Sequence, residues 1–353
     1  MKLCVLGDAS YPHAGNWVNY FKSRGAEVYL ISLQKSIGTS GIEHTIPSKQ
    51  LPGFLKYPLS IGKIASLIKS INPDIINAHF VPNYGFVSAI IGYRPLVVSC
   101  FGSDVLEPPR KGIFRKARIK YTLNKADLVT TDGKILKDAV NKFGIPYSRI
   151  LNVPIGIDTP VFKPLKKTLP PKVVYMRRLE YVCNPELFVN ALPAVISQCN
   201  VKPVMLDMGS YRDKIFSLVK KLGIESKIEF VPFLSEQRLA KLLGEASVYV
   251  STSFSDSTSV TLLEAMSCGA FPVVTDIIGN KEWIKDGVNG YLTPLNDPIK
   301  LAGKIIKALS NPLLMEKASL KNTEIIRRYG DRYENMGIVE SAFLDIIKKY
   351  KNK

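Results

Sequence analysis

Short apolar runs recur along this chain with room for one helix between successive runs, and that alternation limits the fold more than any other feature. In the first half the runs fall at 3–7, 28–32, 75–79, 96–100, 128–131 and 149–153. A second series follows at 172–176, 203–206, 229–233, 248–250 and 271–275. Strand-length runs separated by helix-length segments predict an α/β fold, a parallel sheet wrapped by helices. Between the two series, residues 152–164 hold Pro154, Pro160 and Pro164 with Gly156, which breaks the periodicity and marks a domain boundary. In sheets of this kind ligands gather at the carboxyl ends of the strands, so every residue there is a site candidate by position alone.

The chain is long enough for two such domains. Its 353 residues can bury two cores, and 46% hydrophobic with 22% charged residues is the balance of a globular protein. No run of eighteen apolar residues occurs. Residues 1–8 turn polar too early for a secretion signal and read as a first core strand. The five cysteines are scattered without a Cys-x-x-Cys pair, which predicts reduced thiols in a cytoplasmic setting. His13, His44 and His79 lie far from any cysteine pair, so a structural zinc is not expected.

The net charge of +18 is the oddity of the composition. Residues 1–160 carry 20 bases against 10 acids, and the densest cluster runs from Arg110 through Arg115, Lys116 and Arg118 to Lys120. As a helix this cluster would set Ile113, Phe114 and Tyr121 among the bases, a pattern suited to an anionic membrane surface. A solvated helix face explains it equally well. Nucleic acid is not expected as a partner, because neither an aromatic–basic RNA signature nor a helix-turn-helix pattern is present.

Residues 251–275 carry the clearest chemistry. After the run at 248–250, residues 251–259 include seven Ser or Thr and one acid, Asp256, so a helix is predicted to begin near 256–258. A helix that starts after a strand offers free amides and a positive dipole end to a phosphate. Glu264 then falls inside the apolar sequence Leu262-Leu263-Glu264-Ala265-Met266. Burying an unpaired carboxylate is expensive, and ribose hydroxyls would be suitable partners. Two acids eight apart with open amides between them suggest a nucleotide-sugar pocket. Plainer roles remain open: Asp256 as a helix cap and Glu264 in a salt bridge with a lysine.

This stretch resembles the donor-site signature of the family 4 retaining glycosyltransferases, where two acids eight apart precede Ala-Met and a Gly-x-Pro-Val-Val strand. Asp256 stands where Glu is commoner, and Glu264 matches. The resemblance covers nearly the whole chain and implies the GT-B fold: two Rossmann-like, doubly wound domains facing a cleft. It implies an acceptor-binding domain at 1–160, a nucleotide-sugar domain at 161–330, and a C-terminal helix at 331–353 that returns to the first domain. It also implies transfer of a sugar, a hexose by expectation, from a nucleotide-diphosphate sugar to a glycan acceptor. That acceptor is expected to be lipid-linked, at the inner face of the cell membrane, in polysaccharide or glycoprotein assembly.

The same resemblance assigns residues. His79, ending Asp74-Ile75-Ile76-Asn77-Ala78-His79, matches the family's Asp-x-x-x-Ala-His pattern and is expected, with Asp256 and Glu264, at the reacting sugar. Arg178 fits the arginine of a Gly-Arg-Leu turn that grips the diphosphate. Arg177 replaces the glycine, and Cys183 stands where a lysine would share the phosphate charge, which leaves Arg177 or Lys281 to supply the second cation. Gly209, Ser257, Thr258 and Ser259 complete the expected donor side. Gly15 and His13, with Gly102 and Asp104 of a Gly-Ser-Asp element, are expected on the acceptor side, Asp104 also being able to cap its turn. The segment between Gln34 and Tyr57 reads as a long loop, a flap over the acceptor.

No Asp-x-Asp motif is present among the strand-end candidates. No metal and no cofactor beyond the co-substrate is therefore expected, the diphosphate being neutralised by Arg178 and helix amides. Two other readings stay open. One is a sugar-nucleotide epimerase or hydrolase on the same scaffold. The other is a non-enzymatic basic protein that binds membrane or nucleic acid.

Overall fold

The structure, a computed structural model, describes residues 1–10, 12–35, 41–46, 53–106 and 112–352, with only the backbone of Pro12, His13, Gly53 and Phe54. It divides into two units, residues 1–154 with 333–353 and residues 155–332. The boundaries thus fall near Pro154 and Arg332, against 160 and 331 read from the sequence.

In the first unit, seven strands form one parallel sheet: β1 (Lys2–Leu6), β2 (Glu27–Ser32), β3 (Ile42–Thr45), β4 (Ile75–His79), β5 (Leu96–Ser99), β6 (Leu128–Thr131) and β7 (Ile150–Asn152). Their order is β3-β2-β1-β4-β5-β6-β7. The central strands are buried on both faces, which is why they read as continuous apolar runs. Alternation along β1 separates two cores. Cys4 and Leu6 pack with Ile76 and Val98 on one face, while Leu3 and Val5 pack with Trp17, Phe21 and Ile75 on the other.

The second face is closed by the C-terminal helix Arg332–Lys351. Its Phe343 ring stacks on Phe21 with centroids 5.5 Å apart, and the Tyr20 hydroxyl donates to Glu340 at 3.1 Å.

The second unit repeats the plan with six strands: β8 (Lys172–Tyr175), β9 (Lys202–Leu206), β10 (Glu229–Val231), β11 (Val248–Ser251), β12 (Phe271–Thr275) and β13 (Tyr291–Thr293). They too are parallel, in the order β10-β9-β8-β11-β12-β13. In each sheet the chain winds outward one way and then the other. The reversal falls between β1 and β4 in the first unit and between β8 and β11 in the second. Such a reversal splays the two loops that leave it and opens a crevice at the strands' carboxyl ends.

Two elements correct the sequence reading. The segment read as a loop before Tyr57 contains β3, and the helix Gly53–Ile71 begins inside it; residues 36–40 and 47–52 of the expected flap lie outside the described residues. An edge strand needs no apolar run, and Ile42-Glu43-His44-Thr45 is half-exposed. Likewise β13, three residues long, begins inside the turn read at 286–292. All five cysteines are free. Among the described residues no helix is long and apolar enough to cross a membrane.

Candidate functional site

In the second unit the reversal point holds an ion pair. The turn after β8 delivers Arg177, and the loop after β11 delivers Asp256 and Ser259. The Arg177 guanidinium donates to Asp256 Oδ2 at 2.6 Å through one terminal nitrogen and to Ser259 Oγ at 2.7 Å through the other, while its buried Nε has no hydrogen-bond partner among the described residues. Burial works against the charge, but Asp256 beside it prevails and the guanidinium pKa is raised. Ser259 is also the N-cap of the helix Val260–Ser267, its hydroxyl accepting from the Leu262 amide at 3.3 Å. The helix therefore starts later than the 256–258 expected, and Asp256 is an ion-pair partner rather than a cap. Ser257 and Thr258, between them, are buried.

Glu264 lies on this helix, on the second turn. It is only 8% exposed, and among the described residues its carboxylate has no hydrogen bond and no ion pair. Burial pushes its pKa up to about 7; Arg332 pulls it down, Glu236 pushes it up, and Arg177 pulls it down again. Arg332 is engaged elsewhere, 3.5 Å from Glu236 Oε1. Its carboxylate is thus a hydrogen-bond acceptor with no partner among the described residues.

The remaining donor candidates divide. Arg178 is 49% exposed, with Glu180 at 3.7 Å as its ion partner, and is held far less firmly than Arg177. Cys183 is buried, and its backbone carbonyl accepts from the Tyr175 hydroxyl at 2.8 Å. Lys281 is bound to Asp276 at 2.6 Å. Gly209, at φ +148°, has no room for a side chain, since a β-carbon there would clash with the backbone of Leu179. The sequence carries no sign of Gly279, where a β-carbon would clash with the carbonyl oxygens of Asp256 and Ser257.

In the first unit the reversal point holds His79, the last residue of β4 and 4% exposed. Its ring is met edge-on by Trp17 at 5.1 Å and by Phe101 at 5.0 Å. The Nε2 atom contacts Asn77 Oδ1 at 2.8 Å, and a methyl on Gly7 would come within 3.3 Å of Nδ1. Phe80 then takes a left-handed conformation, φ +70°, and starts a π-type turn over Phe80–Gly85. Turns of this type are frequent at functional sites.

Asp104 departs from its expected role on the acceptor side. It is buried, and its two oxygens accept from the amides of Val81 at 3.2 Å and Phe101 at 3.1 Å. Burial raises its pKa to about 6 despite those bonds. Its carboxylate therefore ties the turn after β4 to the turn after β5 and is not available to a sugar. Gly102, at φ +105°, starts the short helix Ser103–Leu106. Gly15 is buried in the helix Pro12–Ser23; the side chain of His13, in the same helix, lies outside the described residues.

Residues 157–324 match the family described as glycosyl transferases group 1, and residues 2–133 match the glycosyl transferase 4-like family. The chain belongs to the group 1 glycosyltransferases. It is 31% identical over 139 residues to an uncharacterized glycosyltransferase of Methanocaldococcus jannaschii, a match that spans 39% of this chain and 36% of that protein. It is 22% identical over 316 residues to N-acetyl-alpha-D-glucosaminyl L-malate synthase of Bacillus anthracis, spanning 84% and 81%. Among solved structures, a glycosyltransferase of Rickettsia africae superposes with TM-score 0.81 at 16% identity, covering 98% of both chains. HepE of Anabaena, solved with UDP and glucose, superposes with TM-score 0.79 at 20% identity, covering 97% of this chain and 99% of that one. These structures share the GT-B fold with this chain.

Proposed function

We propose that the chain transfers a hexose from a nucleotide-diphosphate sugar to a glycan acceptor with retention of anomeric configuration and without a metal ion. The observation that carries this reading is Glu264, a buried residue on the helix that follows Asp256 whose carboxylate has no hydrogen bond and no ion pair among the described residues. Ribose hydroxyls donating to it would satisfy the acceptor that the fold leaves open. Arg178, half-exposed after β8, is the movable cation for the diphosphate, and Arg177 is the fixed one, taking the place left by Cys183. Together with the helix N-terminus they neutralise the charge that develops on the leaving group. Asp256 orients Arg177 and stands beside the sugar. HepE, which shares the fold, binds UDP, and that supports a nucleotide sugar as the donor.

The acceptor proposed is lipid-linked, met at an anionic membrane. On the helix Gly112–Lys125, Ile113 and Phe114 are 86% and 90% exposed and sit beside Arg115, Lys116 and Lys120; Arg110 and Lys111 lie outside the described residues. Arg118 is turned inward, 4.1 Å from the Phe86 ring centroid. Replacing Phe114, Lys116 and Lys120 together by Ser, Gln and Gln should abolish sedimentation with anionic vesicles, and unchanged sedimentation would leave this helix as a plain solvated face.

The reaction is tested by incubating the protein with a panel of nucleotide sugars and glycosyl acceptors and following the anomeric proton of the product by NMR. Retention is expected. An inverted product, or a free epimerised sugar nucleotide, would overturn the reading.

A further inference from the structure

Two neighbouring helices bring opposite charges to the helix that carries Glu264. The helix Glu236–Glu245 packs against Val260–Ser267 and opens with Glu236. The helix Pro312–Tyr329 packs along the same element and leads on to Arg332. Ala240 and Leu243 from one neighbour and Ile326 from the other share a buried core with Leu262, Leu263 and Met266. All of these residues belong to the second unit.

The backbone of Arg332 is fixed. Its amide donates to the Ile157 carbonyl at 2.9 Å, and Asp331 forms a parallel bridge with Ile157, which lies in the same core as the Glu264 helix. A β-carbon on Gly156 would come within 2.8 Å of the Arg332 α-carbon, so the two segments lie backbone to backbone. The Arg332 side chain is only 15% exposed. One terminal nitrogen lies 3.5 Å from Glu236 Oε1, and the buried Nε has no hydrogen-bond partner among the described residues.

Arg332 and Glu264 thus show matching deficits, a donor without an acceptor and an acceptor without a donor. Of the charges around Glu264, Arg332 lowers its proton affinity most, Glu236 raises it and Arg177 lowers it. Yet no ion pair joins Arg332 to Glu264 among the described residues, and Glu236 holds one end of the guanidinium instead. A carboxylate only accepts hydrogen bonds and a guanidinium only donates them. The group that completes both donates on one side and accepts on the other. An anion there would be repelled by Glu264 and a cation by Arg332. A neutral hydroxyl meets both demands with one oxygen, and a vicinal diol meets them with two.

We infer that Arg332 is a second ribose-binding residue: its guanidinium donates to the hydroxyl oxygens whose protons go to Glu264. This inference rests on the donor reading above and adds to it the group that faces the diol from the opposite side.

The test compares ligands within one protein. UDP, GDP and ADP, each with its 2′,3′-dideoxy form, are titrated by calorimetry at pH 7.5 into the full-length wild type, Arg332→Met and Arg332→Lys. Wild type should lose affinity about tenfold to a hundredfold when the hydroxyls are removed. In Arg332→Met that loss should shrink about fivefold or more, as expected when a charged donor no longer meets the diol. Arg332→Lys keeps the charge without the planar fork and should fall between the two. Each loss is a ratio of two affinities for the same preparation, so a misfolded fraction does not alter it. An undiminished loss in both variants would overturn the inference while leaving the donor reading intact. The titrations are repeated at pH 9, above the value of about 7 for Glu264. Recovery of the wild-type loss by Arg332→Met at pH 9 would overturn the contact, because Arg332 would then serve only to keep Glu264 ionised. A wild type indifferent to the hydroxyls, or one that binds none of the three diphosphates, would overturn the donor reading and the inference with it.

Discussion

Glu264 shows how one residue can be legible in sequence and still differ in its surroundings. A lone acid between leucines and before Ala-Met signals a buried charge, and the structure buries it. The sequence does not show that Arg332, near the far end of the unit, is its principal cation, or that Glu236 opposes it. Those groups converge only through the fold. The ordinary carboxyl value of 4.5 applies to the unfolded chain and about 7 to the folded one, so the folded state holds this proton more tightly. That preference favours folding fully below pH 4.5 and is lost as the pH rises through 7. Glu264→Gln removes the buried charge. Its stability relative to wild type should therefore rise between pH 4.5 and pH 8, by up to about 3 kcal/mol. Urea unfolding at both pH values checks this, and a pH-independent difference would show that the carboxylate is better solvated than its burial implies.

The elements were legible where burial on both faces makes a strand apolar and illegible where it does not. The central strands β1, β4, β5, β11 and β12 are continuous hydrophobic runs because helices cover both sides. By contrast β3 is a half-exposed edge and β13 spans three residues, so neither leaves a run to find. The sequence puts the helix after β11 too early because every Ser and Thr in its loop is a competent cap, and only the ion pair with Arg177 removes Asp256 from that contest. Gly279 left no signal in the sequence, because its constraint comes from another loop. A methyl there would clash with the carbonyls of Asp256 and Ser257. Gly279→Ala should therefore displace the Asp256 loop and weaken nucleotide affinity at least tenfold while the first unit melts as in the wild type. Unchanged affinity, measured by calorimetric titration, would mean that the loop does not position the donor.

For the whole molecule, two sheets with one winding plan, each reversing at its middle, put the candidate residues at equivalent places. Gly7 and His79 stand at one reversal, Arg177 and Asp256 at the other. The first unit is complete only with the end of the chain, since Phe343 and Met336 fill the core around Trp17 and Phe21. Phe343→Ala should cost about 3–5 kcal/mol, the usual range for emptying an aromatic core position, and the loss should fall on the first unit alone. Hydrogen exchange resolved by residue would show it, with protection lowered in β1 and β4 and retained in β8 and β11. A uniform loss across both units would mean that they do not unfold separately.

Whether nucleotide hydroxyls complete Glu264, whose carboxylate has no hydrogen bond or ion pair among the described residues, is tested by a binding cycle. Wild type and Glu264→Gln are each titrated by calorimetry with a nucleoside diphosphate and with its 2′,3′-dideoxy analogue. Wild type should lose about tenfold to a hundredfold in affinity when the hydroxyls are removed, since hydrogen bonds to charged groups contribute about 1.5–3 kcal/mol, and the glutamine variant should lose much less. Equal losses in the two proteins would contradict the account.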